Sequence, residues 1–199
     1  IQDDSLDWTN GWQGRAQFVL IKQAATIGDR GIEADNNEAN NDSSPRAQPI
    51  LSNLTIIGRA GDSATQGVLL RRGTGANIWN SVITGSPTCL TIDGAATFAN
   101  AGVPGSLTGS LTIQNSFVNC AANFADGDDA TFTTSDWFLS QSENVAGDPL
   151  LGGYLPAAGS PLTLGGAAVS DAFFTPVDYS GAFKDANGDW TKEWTINFN

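Results

Sequence analysis

One eight-residue pattern occurs three times, and it constrains the fold more than any other feature. Leu51-Ser52-Asn53-Leu54-Thr55-Ile56-Ile57-Gly58 returns as Ile78-Trp79-Asn80-Ser81-Val82-Ile83-Thr84-Gly85 and as Ile113-Gln114-Asn115-Ser116-Phe117-Val118-Asn119-Cys120. The shared order is apolar, any, Asn, two more, apolar, any, small. The copies lie 27 and 35 residues apart, and a Leu-Thr-Ile triplet recurs at 54–56, 90–92 and 111–113. Unequal repeats of this size suit a solenoid whose coils carry loops of different lengths. Each coil is predicted to place an apolar residue inside, an Asn at a bend, and then another strand. Asn tolerates left-handed backbone and bonds it locally. Leu51, Ile78 and Ile113 are expected to stack inside, as are Ile56, Ile83 and Val118. Asn53, Asn80 and Asn115 are expected near one line along the axis, bonding one another as stacked Asn ladders do.

The rest of the chain agrees with an all-β reading. Its apolar runs are short and are separated by polar or Gly-rich segments, with 23 glycines in 199 residues. Residues 136–145 make the one helix the pattern predicts, with Ser135 or Asp136 as N-cap. Residues 1–135 read as coils, and 136–199 as the last coils and an irregular C-terminal capping segment of the same domain.

The repeat resembles the coil of bacterial secreted right-handed parallel β-helix proteins, the pectate-lyase-like superfamily. Asp148-Pro149-Leu150, Tyr154 to Pro161 and Asp178 to Phe183 resemble the way many such proteins end. Asp29 to Asn37 is similar to a subgroup from Gram-negative bacteria. The resemblance implies a right-handed parallel β-helix and an extracellular or cell-surface location. It implies no single activity, because the fold hosts lyases, hydrolases, adhesins and structural proteins.

Charge and composition narrow the partners. With 9 basic against 21 acidic residues, the net charge is −12 and the pI about 4.1. Nucleic acid and anionic membranes both need a basic footprint, so neither is expected. No apolar run approaches the roughly 18 residues that membrane insertion needs. Histidine is absent, which removes the commonest general base and any Ser-His-Asp triad. Methionine is absent too, and the chain starts at Ile1, so a processed or excised piece of a longer precursor is expected. Cys89 and Cys120 fit no zinc or redox motif. They are either a disulfide, which would fit an oxidising compartment, or two buried thiols.

Several residues could carry chemistry. Asp126, Asp128 and Asp129 could serve as paired carboxylates on a glycosidic bond, but the family's Gly-His-Gly motif is missing, and a solvated turn is the plainer reading. Arg71-Arg72, Arg30, Arg46 and Arg59 match no lyase motif. Calcium is the stronger expectation, since it takes roughly six to eight hard oxygens. Asp35, Asn37, Glu38 and Asp42 lie in a segment of seven oxygen-bearing side chains in eight positions, and Asp185, Asn187 and Asp189 resemble the start of a calcium loop without its closing Glu. Asn/Asp-rich turns are the alternative. Trp8 with Trp12, and Trp190 with Trp194, share an i, i+4 spacing that places both rings of each pair on one strand face. They could stack on a glycan, or cover the solenoid ends.

The expected function is a non-enzymatic extracellular surface or matrix protein, as adhesin, scaffold or filament subunit. The rival is a carbohydrate-binding module or polysaccharide-degrading enzyme, which an outward cluster of carboxylates and Arg or Lys would favour. The first coil is expected to need cover, from upstream chain or from a second subunit stacked head to tail.

Overall fold

The computed structural model describes residues 3–61, 64–193 and 195. Two parallel sheets carry the chain. Sheet A holds β1 (Leu6–Trp8), β3 (Arg30–Ala34), β5 (Gln66–Leu70), β8 (Thr88–Ile92) and β11 (Ala122–Asp126), in that order. Sheet B holds β2 (Arg15–Lys22), β4 (Ile50–Ile57), β6 (Ala76–Trp79), β7 (Val82–Thr84), β9 (Leu111–Gln114), β10 (Phe117–Asn119) and β12 (Val145–Ala146). The chain alternates between the sheets, and each strand pairs in parallel with its counterpart one coil on. Among the described residues, β2 has a strand partner on one side only, β4.

The core is a stack of equivalent positions. Leu51 pairs with Ile78 and Ile78 with Ile113; Ile56 pairs with Ile83 and Ile83 with Val118. All six side chains are buried. In sheet A the inward row is Ile32, Val68, Leu90 and Phe124. Burying such rows at about 25 cal/mol per Å² of apolar surface is what holds successive coils together.

The bend between the two halves of each sheet B coil is made by one left-handed residue. Asn53, Asn80 and Asn115 have φ of 58°, 50° and 51°. Two further residues occupy the same corner: Phe18 in the first coil, at 58°, and Glu143 in the last, at 53°. The asparagine amides do not bond one another. Each donates instead to the C-terminal segment. Asn115 Nδ2 reaches the Gly165 carbonyl (3.0 Å), Asn80 reaches Ala167 (2.8 Å), and Asn53 reaches Tyr179 (2.9 Å).

The part of that segment beyond residue 150 runs along the coils rather than over their end. After the small antiparallel pair β13 (Leu151–Gly152) and β14 (Leu155–Pro156), the chain turns back along the row of Asn corners. It reaches the first coil, where Arg15 pairs with Asp171 at 2.7 Å and Gln17 exchanges two hydrogen bonds with Thr175. It then returns past Asn53. It is a strap along the flank of sheet B, and it explains why six consecutive residues of β4 are buried on both faces.

Two short helices fill connections. α1 (Ala95–Ala101), not anticipated from the sequence, tucks Phe98 against the core. α2 (Thr134–Ser140) starts earlier and stops sooner than expected, because the Thr133 hydroxyl caps the Asp136 amide at 2.9 Å. Its Trp137 and Phe138 close the last coil. Cys89, in β8, and Cys120, between β10 and β11, form a disulfide with Cα atoms 5.4 Å apart.

Candidate functional site

Residues alternate sides along a strand, so Glu33 on β3 points away from the inward Ile32 and Ala34, and Asp35 follows it on the same side. The register sets Asp7 of β1 directly opposite Glu33. From the next coil, Arg71 and Arg72 follow directly on β5. Arg71 Nε donates to Asp35 Oδ1 at 2.7 Å, and its terminal nitrogen also bonds Glu33. Arg72 donates to Asp35 Oδ2 at 2.7 Å and to Glu38 at 3.0 Å. Arg30 lies 3.3 Å from the second Glu33 oxygen. These groups form a polar groove of about 400 Å³ whose walls include Asp7, Asn10, Glu33, Asp35, Glu38 and Arg72.

The electrostatics are uneven. Burial pushes the Glu33 carboxyl above its ordinary value, outweighing the pull of Arg71 and Arg30, and Asp4 adds to the rise. Burial works against the charged form of Arg71, but the Asp35 bond and the charges of Asp35 and Glu33 raise its pKa all the same.

The structure uses the expected calcium ligands differently. Asp35 and Glu38 face arginines, and Asp42 pairs with Arg46 at 3.0 Å. Asn37 accepts from the Asn40 amide at 2.8 Å and donates to Asn10 at 2.7 Å. In the second loop Asp185 accepts from the Asn187 amide at 2.8 Å, and Asp189 accepts from Tyr154 (3.0 Å) and Thr191 (2.6 Å). Neither loop gathers three carboxylates. Among the described residues such a group occurs at Asp3, Asp4 and Asp29, where Arg30 already sits. In the first loop Asp35 and Glu38 meet guanidinium groups from the next coil, and Asp42 meets Arg46 of its own segment.

The first tryptophan pair does not form a flat platform. Trp8 is buried and donates to the Thr74 hydroxyl at 3.0 Å, while Trp12 is 37% exposed with its ring tilted 39° to that of Trp8. Trp190 lies flat on Phe183, centroids 5.2 Å apart, and donates to the Ala182 carbonyl. Trp194 lies outside the described residues. Asp126 accepts from the Thr134 amide that opens α2, and the Asp128 amide donates to Asp93, so this acidic turn is structural. Sequence reasoning missed Glu33 and Asp7. The available signal was alternation: Glu33 and Asp35 had to share a face.

A family model described as a pectate-lyase-like β-helix domain matches residues 1–155. The chain belongs to this family. No curated protein and no solved structure matches it. The matched span of the β-helix domain holds every strand of both sheets and the groove; the strap runs largely beyond it. No described helix is long and apolar enough to cross a membrane.

Proposed function

We propose that this domain is a right-handed β-helix acting as a non-enzymatic extracellular surface or matrix protein, and that it binds a polysaccharide in the groove on sheet A. The observation that carries the reading is the interlocked set Glu33, Asp35, Glu38 and Arg72 lining an outward groove, with Arg71 bonded to Glu33 and Asp35. Carboxylates accept from sugar hydroxyls and guanidinium groups donate to them. Side chains already fixed by each other lose little freedom when a ligand arrives. Parallel strands joined by crossovers are right-handed in nearly all proteins. The Cys89–Cys120 bond supports an oxidising compartment.

A second reading, polysaccharide cleavage, draws on one observation. A carboxyl held above its ordinary range, as Glu33 is, is the form that donates a proton to a leaving group. One experiment separates the two. Affinity electrophoresis against neutral and acidic polysaccharides is run beside an assay for new reducing ends. Retention without cleavage, weakened about tenfold by Arg72→Ala, supports binding. Cleavage abolished by Glu33→Gln establishes the enzyme. No retention on any polysaccharide sinks both.

A further inference from the structure

A different part of the molecule departs from the repeat in a way the coil does not require. The corner that carries Asn in the three middle coils carries Phe18 in the first, at φ 58°. A bulky residue in the left-handed region is strained and persists where the surroundings demand it. Here the strap answers the ring. Tyr179 lies nearly parallel to Phe18, the planes 23° apart and centroids 6.5 Å apart. Trp190, held by its bond to the Ala182 carbonyl and by Phe183, forms a further wall. Phe18, Tyr179, Ala182, Lys184, Gly188 and Trp190 enclose a pocket of about 430 Å³.

We propose that this pocket is a second binding site, and that it takes a flat aromatic ring bearing a carboxylate. The volume is that of a small-molecule site. Aromatic faces at shallow angles accept a planar ring by offset stacking. A sugar fits poorly, since its hydroxyls would leave water and find few partners: the Trp190 N–H and the Ala182 carbonyl already bond each other. The charge follows from Lys184. Arg15, Arg30, Arg46, Arg71 and Arg72 are each paired with a carboxylate, whereas no described residue pairs with Lys184. Lys184 is an exposed member of the lining, so it attracts an anion through a solvent-screened contact rather than a buried one. The site lies on the sheet B flank and does not depend on the polysaccharide groove.

The test is calorimetric titration of the full chain with cinnamate, cinnamyl alcohol and glucuronate. Cinnamate should bind, the alcohol about tenfold more weakly, and glucuronate not at all. Lys184→Gln should erase the difference between acid and alcohol. Phe18→Asn, which restores the residue of the repeat, should abolish cinnamate binding with the melting temperature unchanged or raised. Equal affinity for acid and alcohol in the wild type overturns the proposal. So does glucuronate binding in place of cinnamate, or no binding by a chain with a native circular dichroism spectrum.

Discussion

Asn80 grips Ala167 with both ends of its side-chain amide: Nδ2 donates to the Ala167 carbonyl and Oδ1 accepts from the Ala167 N–H, each at 2.8 Å. The residues are 87 apart in sequence, and the pair pins the strap to the middle of the coil stack. The same Asn supplies the left-handed corner, so one residue does two jobs.

Asn80→Ala should remove both bonds, and a third from Nδ2 to the Ser52 hydroxyl at 3.2 Å, and force a Cβ-bearing residue without a compensating amide into the left-handed region. Three hydrogen bonds at about 1 kcal/mol each, plus about 1 kcal/mol of backbone strain, predict a loss near 4 kcal/mol. Asn80→Gly should lose about 1 kcal/mol less, because glycine adopts that backbone freely. Chemical denaturation of both variants checks the order; an equal loss would mean the corner is unstrained.

The repeat made the Asn corners legible, because Asn is one of few residues that adopt positive φ readily. Phe18 and Glu143 were not legible. They take the same backbone from their coil neighbours rather than from their own preference, so residue type gave no sign. The groove failed to show for a related reason. Asp35 and Arg71 are 36 residues apart, and the parallel pairing of β3 with β5 across a full coil brings them together. Acids read alone suggested calcium; the arginines of the next coil, which Asp35 and Glu38 face, could not be read beside them. The closing motif around Asp178 to Phe183 was visible, but its path back to Gln17 is a tertiary contact with no local signature.

The Cys89–Cys120 bond closes a separation of 31 residues between coils. Loop-closure entropy for that length predicts about 3–4 kcal/mol of stabilisation. Reductant, or Cys89→Ala with Cys120→Ala, should lower the melting temperature by roughly 10 °C for a chain of this size. An unchanged melting curve in reductant would show that the coils hold together without it.

Glu33 sets the sign of a pH effect. Its folded pKa lies above the ordinary 4.5, chiefly through burial, so the folded state binds the proton more tightly. Its contribution to stability is present below that ordinary value and is lost as pH rises through the raised one. Glu33→Gln should therefore gain on the wild type in melting temperature as pH rises from about 4 to about 7. Asp171 has the opposite sign: the Phe173 amide bond and then Arg15 lower its pKa. Asp171→Asn should lose ground as pH rises from below the lowered pKa to above the ordinary 3.8, and thermal melts at stepped pH read both.

The last coil ends on an aromatic plug. Phe138 of α2 is fully buried and packs on Phe124 of β11, the final strand of sheet A, with centroids 5.3 Å apart. A solenoid end without such cover presents core and strand edges to water, which invites another chain. Phe138→Ala should lose about 3–5 kcal/mol through the cavity it leaves. It should also loosen α2, whose Trp137 sits in the same cluster. The variant is expected to bind a hydrophobic dye and to scatter more light as its concentration rises, while the wild type scatters in proportion to mass. If the wild type already associates to the same degree, α2 is not what closes this end, and head-to-tail stacking becomes the better account.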